Sequence, residues 1–376
     1  MATHPNSTPT TRRAGGIGLE VCKICVDALK ARPDAVVFVG SRDLDAGKAA
    51  AAELAATDGV RCSIAALQLD VCDDASVQAA AKQVAERLGK GRGLDILVNN
   101  AGVLLQKDDN GETEGYNGAC ERQACDKRHP PHPLTHPHHP PPTTYATAAK
   151  GRKTVEVNFE GTVRLTEAMM PLLLAPQDQD NGAHVVNVSS GVGTRTLARL
   201  PAEQRAELTD ASLTLPALRA FCAAALAELE KDAASPYHAI PTVSYGISKL
   251  AVNCYTQMMA RRFGGEKENG LEVNAAAAGA AGAAEAAAAA TSSAPTRRVR
   301  FNAASPGFTG TRMCDGYTGA RRPKAPALGA SVFRDVLFSD LGEGKNGSFF
   351  KQADKAGTLV ADARSREEPW VAKGKT

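Results

Sequence analysis

No apolar run in the sequence approaches the roughly 20 residues that a membrane-spanning helix needs. The opening stretch, Met1 to Arg13, lacks the apolar core of a secretory signal. It is rich in Ser and Thr and carries two Arg and no acid, but it is too short for an organelle transit peptide. These absences point to a cytoplasmic protein with no membrane partner. An excess of one charge is missing too: 44 Lys and Arg face 41 Asp and Glu, a formal net charge of +3, so there is no electrostatic argument for nucleic acid. The nine cysteines have no disulfide-like framework, which fits a reducing compartment. Cys22 and Cys25 form a CxxC inside a predicted helix with no second pair at zinc spacing, so no metal site is assigned to them. Also lacking is an apolar strand at the start: Met1 to Arg13 contains Pro5 and Pro9 and no Val, Ile or Leu.

What is present alternates between strand and helix. The 376 residues suffice for one large α/β domain with insertions or for two smaller domains. Gly15, Gly16 and Gly18 lead into a helical pattern, Leu19, Val21, Ile24, Cys25 and Leu29, where backbone N–H groups can approach a pyrophosphate at the helix N-terminus. Ala35 to Val39 reads as a strand buried on both faces. At its end Gly40 and Ser41 offer no acid for a ribose 2′-hydroxyl, while Arg42 suits a 2′-phosphate, so the cofactor reading leans to NADP(H); the alternative is a solvated Arg at the start of the next helix. A helix over 44–57, a strand over 62–69 ending in Asp70 and Val71, a helix over 75–88 and a strand over 94–98 running into Asn99-Asn100-Ala101-Gly102 continue the pattern. Asp70 can bond an adenine amino group or cap a turn. Elements of this length in this order predict a doubly wound parallel sheet.

Two tracts interrupt it. About 106–150 is polar and then dense in His and Pro, which favours extended or disordered chain; His129, His132, His136, His138 and His139 have no defined geometry for a metal. About 274–297 is nearly all Ala, Gly and Ser. Between them the expectation is a helix over 154–174 holding Asn158, a strand over 184–188 feeding Ser189 and Ser190, and an extra segment of about fifty residues with a helical run over 216–231. After the second tract come a strand over 299–303 closing at Ser305-Pro306-Gly307, and a further strand at 348–350. The domain reading is an atypical N-terminus over 1–13, where a strand is expected and absent, followed by one dinucleotide-binding and catalytic domain over 14–376 carrying both inserts.

The most informative stretch is Ser244 to Leu250, S-Y-G-I-S-K-L, on a predicted helix whose apolar stripe runs through Val252, Tyr255, Met258 and Met259. Tyr245 and Lys249 are four residues apart and share a helical face. A tyrosine with a pKa of about 10 is lowered by one to about three units when a cation lies close, which lets a phenol exchange protons near neutrality. A Tyr and a Lys at this spacing also occur on ordinary amphipathic helices, so the surrounding motifs decide.

Asn99-Asn100-Ala101-Gly102 after the fourth expected strand, Ser190 after the fifth, the Tyr245/Lys249 pair on the next helix and Pro306-Gly307 after the sixth together resemble the short-chain dehydrogenase/reductases. The long Ser190 to Tyr245 segment, S-R-D at Ser41 to Asp43, V-N-F-E-G-T around Asn158 and N-G-S-F-F near the end are similar to the monomeric carbonyl reductases of that family. The resemblance implies that Tyr245 protonates a carbonyl oxygen, Ser190 hydrogen-bonds it, Lys249 holds the nicotinamide ribose and Asn158 places a water in a proton relay. It also implies that Gly16, Ile17 and Gly18 touch the pyrophosphate, Arg42 the 2′-phosphate, Asp70 and Val71 the adenine, Asn100 its ribose, and Thr311, with Pro306 and Gly307, the nicotinamide side. The expected function is NADPH-dependent reduction of small ketones, quinones or aldehydes by a monomer. The sequence departs from the family at Arg12, which stands where the first glycine of T-G-x-x-x-G-I-G belongs, and in the missing strand. Either an upstream coding segment supplies that strand, or the chain is an inactive relative that serves as a binding protein.

Overall fold

The computed structural model describes residues 16–105, 148–175, 182–231, 243–264, 297–314, 322–338, 346–352 and 359–361. The His cluster, the Ala/Gly tract, Met1 to Gly15 and Trp370 lie outside the described residues. Parallel strands β1 (Val36–Ser41) and β2 (Ser63–Gln68) form one sheet. A second sheet has the order β3 (Ile96–Asn99), β4 (Ala183–Val188), β5 (Val299–Ser305), β6 (Phe349–Gln352) and β7 (Leu359–Ala361), with only β7 antiparallel. Helix α1 (Ile17–Leu29) precedes β1, α2 (Leu44–Ala55) joins β1 to β2, and α3 (Asp74–Leu88) joins β2 to β3. Between β3 and β4, α4 (Ala148–Val155) runs through a π turn (Glu156–Glu160) into α5 (Gly161–Leu173). Then come α6 (Gly191–Arg199), α7 (Ala202–Thr209), α8 (Leu215–Lys231), α9 (Val243–Phe263) and α10 (Pro326–Phe338).

Alternation along the strands builds two helical layers. Phe38, Leu97, Val185 and Phe301 join a core with α3, α5 and α9, whereas Val98, Val186, Ala304 and Phe350 meet α1 and α10 on the other face. Strands buried on both faces need apolar residues at every position, which is why they read as unbroken runs. This is the Rossmann-type α/β fold expected. Asp43 and Asp73 fix the starts of α2 and α3 by accepting from the Ala46 and Ala75 amides, caps worth about 1 kcal/mol each. Among the described residues the strands fall into two sheets, because β1 and β3 are not hydrogen-bonded to one another.

The fold resumes close to the ends of both interrupting tracts. Helix begins at Ala148, inside the span assigned to the His/Pro insert, because the apolar face of α4 packs on α9. Arg297, assigned to the Ala/Gly tract, is part of the fold: its buried guanidinium donates to the Leu94 and Gly182 carbonyls and to Asp95, tying together the chain entering β3, β4 and β5. The expected helix over 216–231 is α8; the short α6 and α7 ahead of it, and β7 near the end, lacked a periodic signal of useful length.

One buried histidine gives the fold a pH dependence. Asn302 accepts from the Ser348 amide through its side-chain oxygen, so its Nδ2 is the group that faces His184 Nε2 at 3.0 Å and that nitrogen must accept. Burial, with a smaller contribution from Arg300, lowers the His184 pKa to about 3. A histidine held neutral in the fold binds its proton more readily when unfolded, so stability is lost as pH falls from about 6.5 towards 3. Thermal melts should show a decline over that window that is smaller in His184→Asn.

Candidate active site

The site lies at the carboxyl end of the second sheet, where ligands bind in parallel α/β folds. β4 ends in two serines with different jobs. Ser189 is buried and donates to Asn253 Oδ1 at 2.6 Å, fastening the strand to α9. Ser190 is half-buried and caps α6, its Oγ accepting from the Val192 amide at 3.2 Å, which leaves the hydroxyl hydrogen to donate.

Helices α6 and α9 meet through glycines. A Cβ on Gly193 would lie 2.7 Å from the Lys249 carbonyl carbon and 2.8 Å from the Leu250 nitrogen, and one on Gly246 would overlap the Thr196 hydroxyl. Only backbone without side chains can pack this closely. The consequence is that Ser190, at the start of α6, is brought to the same end of the fold as Tyr245 and Lys249 on α9.

Asn158 holds the third piece. It is fully buried in the π turn; its Oδ1 accepts from the Val103 amide at 2.7 Å and its Nδ2 donates to the Val103 carbonyl at 3.0 Å and to Ser248 Oγ at 2.9 Å. Both amide hydrogens are therefore committed, so any water Asn158 places must donate to one of its oxygens. Behind it, Asn99 donates to Thr166 Oγ1 and Asn187 Oδ1, and Asn187 donates to Thr256 Oγ1, tying the ends of β3 and β4 to α5 and α9.

Lys249 is buried, donates to the Val188 carbonyl at 2.8 Å, and its Nζ lies 5.7 Å from the centre of the Tyr245 ring. Burial lowers its pKa to about 8. Tyr245 is half-buried on the same helical face, as the four-residue spacing requires. Beside them a Cβ on Gly102 would sit 3.4 Å from Asn158 Oδ1 and 3.6 Å from Lys249 Nζ. Its absence keeps the space in front of the ammonium open.

The remaining predicted residues fall at strand and helix ends. Gly16 caps α1, and a Cβ there would meet nothing within 4 Å among the described residues, whereas Ile17 and Gly18 are buried in the first turn. Arg42 follows the buried Ser41, whose hydroxyl has no hydrogen-bond partner among the described residues. Asp70 uses Oδ1 to accept from the Cys72 amide at 2.9 Å, the turn-capping alternative, and Val71 is buried against Gly161. Asn100 is half-buried after β3; Pro306, Gly307 with φ of +73°, and Thr311 follow β5. A helix start at Gly16, a hydroxyl beside Arg42 with no hydrogen-bond partner among the described residues and a buried ammonium make a donor set that fits a nicotinamide dinucleotide. Burial, with a smaller contribution from Cys22, pushes the Cys25 thiol up to about 12.

A family model described as short chain dehydrogenase matches residues 10–118. Over 262 residues the chain is 31% identical to short-chain dehydrogenase/reductase 1 of Saponaria officinalis, an overlap of 66% of this chain and 74% of that one. The chain belongs to the short-chain dehydrogenase/reductase family. Carbonyl reductase 1 (NADPH) of Sus scrofa is 26% identical over 315 residues, 83% of this chain and 82% of that protein. The structure of menthone neomenthol reductase from Mentha piperita has the same fold, with a TM-score of 0.59 and 24% identity over 89% of this chain and 94% of that one. Membership places the protein among oxidoreductases that use nicotinamide cofactors. No helix among the described residues is long and apolar enough to cross a membrane.

Sequence reasoning missed Ser189, Asn253, Asn187 and the two helix-packing glycines. Gly193 and Gly246 had a readable signal, since a glycine inside a helix costs about 1 kcal/mol against alanine and calls for a packing reason. Gly193→Ala forces backbone against backbone and is expected to destabilise by about 1–3 kcal/mol in urea melts. Gly16→Ala, with open space around the new carbon, should stay within about 0.5 kcal/mol of the parent.

Proposed function

We propose that the protein reduces ketones, quinones or aldehydes to alcohols with NADPH. The observation that carries this reading is the buried Lys249 ammonium 5.7 Å from the Tyr245 ring and beside Gly102, at the same end of the fold as Ser190, with Asn158 fixing the loop after β3. When bound, NADPH supplies the hydride. Ser190 donates to the carbonyl oxygen through the hydrogen left over from its capping bond. Tyr245 gives that oxygen its proton. Lys249, with one hydrogen committed to the Val188 carbonyl, keeps two donors for ribose hydroxyls and holds positive charge beside the phenol. Orientation and electrostatics are thus the chain's own contribution.

Arg42 and the unsatisfied Ser41 hydroxyl support a preference for the 2′-phosphate over a free hydroxyl. Burial of α9 on every side supports a monomer. The inserted α8 packs on that helix, and Arg219 forks onto Glu160 with contacts of 2.7–3.1 Å. No disulfide joins the described cysteines, which supports a cytoplasmic site of action. A second reading, a binding protein without turnover, draws on the divided sheet. NADPH fluorescence on mixing separates the two.

Tyr245→Phe should lower kcat for a quinone by roughly 10² to 10⁴-fold while NADPH still binds, the size expected for losing a general acid. A variant that turned over as fast as the parent would refute the assignment. Arg42→Ala should raise KM for NADPH roughly tenfold or more and leave KM for NADH nearly unchanged, consistent with a charged hydrogen bond of about 1.5–3 kcal/mol. Because burial lowers the Lys249 pKa to about 8, its charge is present below that pH and lost above it. Reductase activity should therefore fall as pH rises through about 8, measured as kcat/KM at fixed ionic strength.

A further inference from the structure

β1 and β2 lie side by side, with Ser41 opposite Gln68 and the Leu69 amide donating to the Ser41 carbonyl at 2.8 Å. The loop over 70–73 therefore leaves the sheet next to Arg42, at the end where parallel α/β folds bind ligands. Several of its polar groups are spent within the loop or on α3. The Asp70 amide donates to Ser76 Oγ and the Cys72 amide to Asp70 Oδ1, each at 2.9 Å, and the Asp73 amide donates to the Asp70 carbonyl at 3.1 Å. The Val71 carbonyl instead accepts from Arg164 Nη1 on α5 at 2.6 Å.

That guanidinium has three acceptors on three pieces of chain. Nη2 donates to Glu156 Oε1 at 3.0 Å at the start of the π turn, and Nε meets Asp74 Oδ1 in the first turn of α3. Packing fixes the same junction, since a Cβ on Gly161 would lie 2.6 Å from Val71 Cγ2. A charged planar fork makes short, directional hydrogen bonds and holds its partners at set angles, which an ammonium on a flexible stem does not. The Arg164 side chain is only 22% exposed, so water competes weakly for these bonds. Asn158, two residues past Glu156, has its own bonds to Val103 and Ser248 and does not depend on the fork. The Val71 carbonyl does, so the effect of losing Arg164 falls at the β2 end of the site.

We propose that Arg164 is a positioning residue for the adenosine half of the cofactor, holding the loop over 70–73 in place beside Arg42. The inference rests on the nucleotide-cofactor reading of the site given above. With a 2′-phosphate on Arg42, the base carried by the same ribose reaches the neighbouring strand end, and the strand hydrogen-bonded to β1 is β2. Arg164 touches neither cofactor nor substrate in this arrangement and acts through the Val71 backbone. A displacement of about 1 Å in a positioning group can cost up to about 10²-fold. Here that cost falls on the adenosine half, while the reacting end on β4 and α9 keeps its geometry.

The test compares the full chain with Arg164→Met and Arg164→Lys. Each is titrated with adenosine 2′,5′-bisphosphate and with reduced nicotinamide mononucleotide, the two halves of NADPH, and assayed with NADPH and a quinone. Arg164→Met should weaken the bisphosphate and raise KM for NADPH roughly tenfold, with kcat and mononucleotide affinity within about twofold of the parent. Arg164→Lys should recover only part of the loss, because it restores the charge without the fork. Where Arg164→Met melts too low to assay, Glu156→Gln, which weakens one arm of the fork, should raise the bisphosphate Kd and the KM about threefold. Unchanged bisphosphate binding in whichever variant is assayed would overturn the assignment. So would a parallel loss of kcat and mononucleotide affinity, which would mark a general loosening of the fold. The titrations decide without turnover, and a parent that binds neither NADPH nor the bisphosphate would overturn the cofactor reading and this inference with it.

Discussion

Three lengths of chain that are far apart in sequence meet at one carboxamide. The Asn158 side chain holds both backbone groups of Val103 and the Ser248 hydroxyl, so the loop after β3, the π turn and the catalytic face of α9 are fixed to one another without water. A π turn places one extra residue within a helix, and such bulges tend to occur where a side chain must be aimed. Here the bulge allows the long helix to keep packing against α3 and the second sheet while turning Asn158 toward the loop. Tyr245 and Lys249 owe their positions to this arrangement as much as to their own helix, because Ser248 lies between them.

Lys249 shows how the same packing tunes chemistry. Its ammonium is enclosed by α6, α9 and the end of β4, with a carbonyl as its neutral partner. Burial without a counter-ion makes the charged form costly, which is why the pKa falls. A cation in that condition interacts strongly with a nearby phenol and with ribose oxygens because little solvent screens it. The close glycine contact between α6 and α9 excludes that solvent, so the packing of two helices and the titration of one amine have a common origin.

Much of the fold was legible in the sequence because strands buried on both faces leave continuous apolar runs. Ala35 to Val39 and His184 to Val188 mark β1 and β4 to within two residues. The Tyr245/Lys249 spacing was legible as a shared face. Arg297 was not legible. It borders a low-complexity tract, and only the three-dimensional meeting of Leu94, Asp95 and Gly182 shows a guanidinium closing the starts of three strands. The division of labour between Ser189 and Ser190 was settled by which hydroxyl faces Asn253, a contact sixty-four residues away along the chain. β7 is three residues long and antiparallel, too short to show any period.

The described residues run to Leu105 and resume at Ala148. Val103 on one side is clamped by Asn158, and α4 on the other packs against α9. With both anchorages set by the core, the closure entropy of whatever lies between grows only logarithmically, by about 0.6 kcal/mol for each doubling of length. A chain length tied at both ends by the core can thus change at small cost, and the same junction is a natural place to splice in a foreign module.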